Sequence, residues 1–141
     1  MEPRISIVTL GVTDLAQARR FYQDGLGFTT AGKEYEDSCF FQLGGLVLWL
    51  YPWDKLAEDA HAERSGSGFR GVTLAHNVRE KGEVDAILSL AERSGGKIAK
   101  PAEEASWGGY SGYFSDPDGH LWEVAWNPFF PLNDRGEIEL S

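Results

Sequence analysis

The chain has 141 residues, enough for one domain with a real hydrophobic core and short for two ordinary ones. Its 42% hydrophobic and 25% charged content fits a globular protein, and no apolar run approaches the roughly 20 residues that span a bilayer. A formal net charge of -9 repels phosphates, which sets nucleic acid and anionic membrane surfaces aside as partners.

Met1-Glu2-Pro3-Arg4 leads straight into a strand-like run, without the basic start and apolar stretch of a secretory signal. A single cysteine, Cys39, can make no internal disulfide, so a cytoplasmic protein is expected. The β-branched run "RISIVTLGV" (4–12) predicts a strand. Asp14 then opens a helix to about Asp24, with Gln17 as a capping partner and Leu15, Ala18 and Tyr22 on the inner face beside Phe21. Gly25 and Gly27 end it, and "FTTAG" (28–32) reads as a strand.

"SCFFQLGGLVLWLY" (38–51) reads as a hairpin turning at Gly44-Gly45. Direct pairing across that turn sets Phe40 opposite Trp49 and Gln42 opposite Val47. These residues and Tyr51 then share one face, and Phe41, Leu46, Leu48 and Leu50 the other. Pro52 stops the strand, and "DKLAEDAHAE" (54–63) is a polar helix capped by Asp54. "RSGSG" (64–68) is a linker.

The pattern then recurs. "GFRGVTLAHNV" (68–78) is a strand, and a helix follows with Val84, Ile87, Leu88 and Ala91 at core spacing. "KIAKP" is a short strand, and "GGYSGYFSDPDGHLWEVAW" is a hairpin whose DPDG turn is set by Pro117 and Gly119. "VTL" occurs at 8–10 and at 72–74, each time before a helix, and a glycine-turn hairpin closes each half. Two duplicated strand–helix–strand–strand–strand modules are therefore expected, at about 4–63 and 69–128, with a C-terminal tail over 129–141.

"VTLGVTDLAQARRFYQDGLGF" (8–28) and "YFSDPDGHLWEVAWNP" (113–128) resemble the vicinal oxygen chelate superfamily of glyoxalase I, bleomycin-resistance proteins and extradiol dioxygenases. The resemblance implies an α+β fold of two βαβββ modules, whose curled mixed sheets enclose an open cavity, and a homodimer. It also implies a divalent metal held by His or Gln on each module's first strand and by Glu on its last. The positions that match are Ile7, directly before the first "VTL"; Gly71, directly before the second; Trp49; and Glu123. Only Glu123 is a ligand type, and catalytic metal sites usually keep three protein ligands, so no metal cofactor is expected. His61, His76 and His120 read as surface or partly buried residues rather than ligands, and Cys39 as a buried, unreactive thiol.

Strand parity predicts a cavity face carrying Ile7, Thr9, Phe40, Gln42, Trp49, Tyr51, Gly71, Thr73, Tyr113 and Glu123. Trp107 and Tyr110, in "SWGGYSGY", form a glycine-rich rim over it. Apolar and aromatic walls with a few polar groups suit a small organic molecule, aromatic or apolar. Binding such a molecule without a metal is the leading expectation. The alternatives are a lyase, isomerase or dioxygenase, either metal-free with Glu123 as acid or base or using an atypical metal site, and a non-catalytic dimeric module with a vestigial cavity.

Overall fold

The computed structural model describes residues 1–32 and 34–140 and divides the chain into two units, Met1–Arg70 and Gly71–Ser141, each built on one small sheet. In the first unit, β1 (Ile7–Val12), β2 (Cys39–Leu43) and β3 (Leu46–Pro52) lie in the order β1-β3-β2. β1 runs parallel to the central β3, and β2 runs antiparallel to it. The hairpin adopts the expected register, from Leu43 opposite Leu46 to Phe40 opposite Trp49. Gly44 takes the positive φ of 60° that this tight turn requires.

Period-two alternation decides which side is core. Leu10, Val12, Phe41, Leu48 and Leu50 are buried, and so are Ala18, Phe21 and Tyr22 from the helix. Tyr22 and Phe28 meet Phe41 with ring centroids 6.1 and 5.8 Å away, which places the helix on that face. Each large apolar side chain buried there contributes about 1.5–3 kcal/mol. The helix starts as α1 (Leu15–Arg19), where the Asp14 carboxylate accepts from the Gln17 N–H at 3.0 Å. It continues as π-helical turns over Arg20–Gly25, from which the adjacent Phe21 and Tyr22 are both buried.

Two expectations change in this unit. "FTTAG" joins the sheet only by a bridge from Thr30 to Phe41, because Gly32 at φ 76° turns the chain away from β2. Pro52 ends the strand as expected, as its last paired residue opposite Val12, but it rather than Asp54 caps α2 (Trp53–Asp59). Proline serves there because the first N–H groups of a helix have no intrahelical acceptor.

The second unit has the full strand–helix–three-strand pattern. β4 (Leu74–Val78), β5 (Lys97–Glu104), β6 (Tyr110–Ser115) and β7 (Leu121–Trp126) lie in the order β4-β7-β6-β5, with β4 parallel to β7 and the rest antiparallel. α3 (Lys81–Arg93) buries Val84, Leu88 and Ala91, and its Glu83 carboxylate accepts from the Glu80 N–H at 2.7 Å. At the DPDG turn, Asp116 is buried, and its carboxylate accepts from the backbone of Asp118 at 2.9 Å and of His120 at 2.8 Å. The architecture is α+β with two small mixed sheets and no closed barrel among the described residues.

Gly112 allows α3 to approach the sheet. A Cβ there would lie 2.6 Å from Leu88 Cδ1 and 2.9 Å from the Ala102 nitrogen. Gly112→Ala is expected to destabilise the protein by about 1–3 kcal/mol in urea unfolding. Gly82→Ala, at an open helical position, is expected to be neutral or to stabilise by up to about 1 kcal/mol. Equal behaviour of the two variants would contradict this packing.

Candidate functional site

The sheet face turned away from the helix carries most of the candidate residues in the first unit, and Tyr113 and Glu123 in the second. The first unit presents three rows, set by pairing: Ile7–Val47–Gln42, Thr9–Trp49–Phe40 and Gly11–Tyr51. None of these side chains is charged. Phe40 stacks on Trp49 at 5.3 Å and 13°, Tyr51 lies 4.7 Å from Trp49 at 34°, and Tyr35 meets Phe40 edge-on at 5.9 Å. Such aromatic pairs contribute about 0.5–1.5 kcal/mol beyond their buried area. The Gln42 amide donates to the Gly44 carbonyl at 2.7 Å, so it fastens its own turn. The Trp49 indole nitrogen is buried and has no hydrogen-bond partner among the described residues.

The second unit presents a polar row. Ala75 pairs with Glu123, Glu123 with Tyr113, and Tyr113 with Lys100, so these side chains rise from one face on four adjacent strands. The Tyr113 hydroxyl donates to the half-buried Glu123 carboxylate. Burial pushes the Tyr113 phenol upward, the Glu123 charge adds to the rise, and Lys100 opposes it. Lys100 is itself raised, first by its hydrogen bond to Glu103 and then by the charges of Glu103, Tyr113 and Glu123; its ammonium lies 2.9 Å from Glu103. A carboxylate thus stands beside a phenol and an ammonium that both hold their protons. Sequence reasoning missed Lys100. "KIAKP" gives no turn from which to count parity, and the β5–β6 register shifts on both sides of Lys100.

The structure corrects several expected positions. β4 begins at Leu74, so Gly71 and Thr73 precede the strand. The "VTL" repeat is also out of step with the pairing. Thr9 opposes Trp49 in the first unit and Ala75 opposes Glu123 in the second, so the equivalent of Ile7 is Thr73, two residues past Gly71. Tyr110 shares the parity of Gly112 and turns to the helix side, where its hydroxyl bonds Asp85 at 3.0 Å and the Lys81 ammonium lies over its ring. Trp107 sits in the loop before β6 and folds over Gly109, where a Cβ would collide with its ring. Ile7, Thr9, Phe40, Gln42, Trp49 and Tyr51 share one face in the first unit, as parity predicted, and Tyr113 and Glu123 share one in the second.

The four metal-ligand positions therefore hold Ile7 and Trp49 in one unit and Thr73 and Glu123 in the other, a donor set that does not fit a divalent ion. Among the described residues no three His, Cys, Asp or Glu side chains come together to hold a metal. His76 pairs with Val124 on the helix side of its sheet, and burial lowers its pKa against the opposing charge of Glu83. Burial raises the Cys39 thiol, offset in part by the charge of Arg19. A cavity of about 20 Å³ beside Arg19, Ser38 and Cys39 has room for about one water, not an organic ligand.

The model of the Glyoxalase/Bleomycin resistance protein/Dioxygenase superfamily matches residues 4–124. A glyoxalase-related enzyme from Fulvimarina pelagi is 34% identical over 99% of both chains, with a TM-score of 0.88. A lactoylglutathione lyase from Agrobacterium tumefaciens is 24% identical, covers 90% of this chain and 96% of its own, and has a TM-score of 0.67. Hypothetical protein SA1046 from S. aureus is 21% identical, covers 90% and 95%, and has a TM-score of 0.77. These last two likenesses concern the fold alone. No curated protein matches the sequence.

Tyr113 holds its proton to higher pH when folded than when unfolded, where a tyrosine titrates near about 10. Its contribution to stability is whole below that value and is lost as pH rises through the folded one. Tyr113→Phe is expected to flatten the loss of stability in urea unfolding between about pH 9 and pH 11. An unchanged slope would contradict the phenol's placement beside Glu123.

Proposed function

The chain belongs to the Glyoxalase/Bleomycin resistance protein/Dioxygenase superfamily, and we propose that it uses the fold to hold a small organic molecule, aromatic or apolar, without the superfamily's usual metal. The observation that carries this reading is the exchange of ligand types for Ile7, Trp49 and Thr73, with Glu123 engaged by Tyr113. The first unit supplies flat apolar walls from Phe40, Trp49 and Tyr51, with Ile7, Thr9 and Gln42 on the same face. Taken by itself, the second unit offers Glu123 as an acceptor for a ligand hydroxyl or amine. Mostly apolar walls with a few placed polar groups are how proteins hold such molecules. The proposed setting is a cytoplasmic homodimer. No helix among the described residues is long and apolar enough to cross a membrane.

A second reading, an isomerase or lyase working without metal, draws support from the Lys100–Tyr113–Glu123 row. Glu123 would take or return a proton at carbon or oxygen, Tyr113 would orient it, and Lys100 would offset charge on a substrate oxygen.

Thermal-shift screening with aromatic and aliphatic compounds tests the first reading. A ligand at about 100 times its Kd adds about 2.7 kcal/mol and raises Tm by several degrees. Aromatic compounds are expected to raise Tm, and Glu123→Gln to weaken those that carry a hydroxyl or amine. The absence of any aromatic hit would overturn the reading. If turnover of a hit is found, Glu123→Gln should abolish it with the fold intact, and retained turnover would remove Glu123 as the base.

A further inference from the structure

β5 is an edge strand of the second unit's sheet, and its pairing with β6 slips twice. Ile98 lies opposite Phe114, so a regular strand would set Ala99 opposite Tyr113 and send Lys100 to the helix side with Ile98. A slip of one residue sets Lys100 opposite Tyr113 instead. A second slip, past Pro101 and Ala102, sets Glu103 opposite Ser111. Residues three apart face opposite sides of a regular strand. Here both reach the face that carries Glu123, and the Lys100 ammonium lies 2.9 Å from the Glu103 carboxylate. Bulges of this kind re-aim side chains, and proline is tolerated at them. Gly112 makes room for them: a Cβ there would lie 2.9 Å from both the Lys100 carbonyl oxygen and the Ala102 nitrogen.

Charges of opposite sign are thereby set in order across one face. Glu123 on β7 accepts from Tyr113 on β6, Lys100 follows on β5, and Glu103 stands beside it. The Lys100 side chain is 49% exposed, and one carboxylate occupies only part of its three-proton ammonium. The half-buried Glu123 likewise keeps lone pairs beyond the one that Tyr113 uses. The backbones of Glu123 and Lys100 stand two strand spacings apart, about 9.6 Å, with Tyr113 between them. With two carboxylates to one ammonium, on a chain of net charge -9, the row repels a simple anion.

We infer that the second unit takes a zwitterion, an amino-carboxylic acid whose ammonium meets Glu123, whose carboxylate meets Lys100, and whose apolar or aromatic spacer crosses Tyr113. The ligand's end charges match the row in order, and they leave it no net charge to be repelled. Lys100 and Glu123 then determine specificity. This inference rests on the reading that the chain holds a small organic molecule, and it names the end groups that the second unit selects.

Three probes built on one ring test it: para-(aminomethyl)benzoate carries both charges, para-methylbenzylamine the ammonium alone, and para-toluate the carboxylate alone. Their binding to the full chain is measured by equilibrium dialysis at neutral pH. The zwitterion is expected to bind about fivefold more tightly than the amine, the upper worth of an exposed ion pair, and para-toluate most weakly. Lys100→Gln is expected to remove that fivefold preference, and Lys100→Arg to keep it. Glu123→Gln is expected to weaken the zwitterion and the amine alike, by about tenfold. Equal binding of zwitterion and amine by the native chain, a preference that survives Lys100→Gln, or failure of all three probes to bind would each overturn the proposal. Should uncharged aromatic compounds still raise Tm in that event, the zwitterion alone is wrong. Should no aromatic compound bind at all, the broader reading falls with it.

Discussion

The two-residue alternation of the central strands, β3 and β7, is the constraint on which the rest depends. Each lies inside its sheet, paired on both sides, so each side chain is committed either to the helix or to the opposite face. A slip of one residue would send Leu48 and Leu50 to the open face and Trp49 to the helix. The burial of Leu48, Leu50 and Phe41 against Phe21 and Tyr22 opposes that slip with several kcal/mol. In the second unit, Trp122 and Val124 hold the register in the same way. Trp49 and Glu123 therefore owe their positions to neighbours that never touch the candidate site.

The same backbone position carries opposite chemistry in the two units. Each hairpin glycine, Gly45 or Gly119, is followed four residues later by the residue at the centre of its face. In one unit that residue is an indole within an uncharged aromatic stack. In the other it is a carboxylate bonded to a phenol beside an ammonium. Where relatives by resemblance place a cation against this carboxylate, the chain places the Lys100 ammonium and the Tyr113 hydroxyl near it. An ammonium satisfies the charge without coordination geometry, leaving the carboxylate able to accept from a neutral donor.

Much of the fold was legible in the sequence because its signals are local. Gly44-Gly45 fixed a hairpin register that the structure reproduces pair by pair, and Asp14 fixed a helix start. The rest depended on pairing between distant segments. "VTL" suggested an equivalence between Ile7 and Gly71 that parallel pairing of β4 with β7 moves to Thr73. "FTTAG" has strand-like composition but makes a single bridge, and Tyr110 turns to the helix through the β6–β7 register. Lys100 was illegible because the irregular β5–β6 register gives no parity to count. The aromatic face of the first unit could be read from one turn, whereas the polar row of the second required three strand pairings.

The central claim is that this chain meets an organic molecule at positions where a metal would otherwise sit. Elemental analysis of the purified protein, with calorimetric titration of Zn, Mn, Ni and Fe ions into the native chain and into Glu123→Ala, tests it most directly. The account predicts no stoichiometric divalent ion and the same weak, non-saturating heats in both proteins. One ion bound per chain in the native protein, and lost in Glu123→Ala, would contradict it.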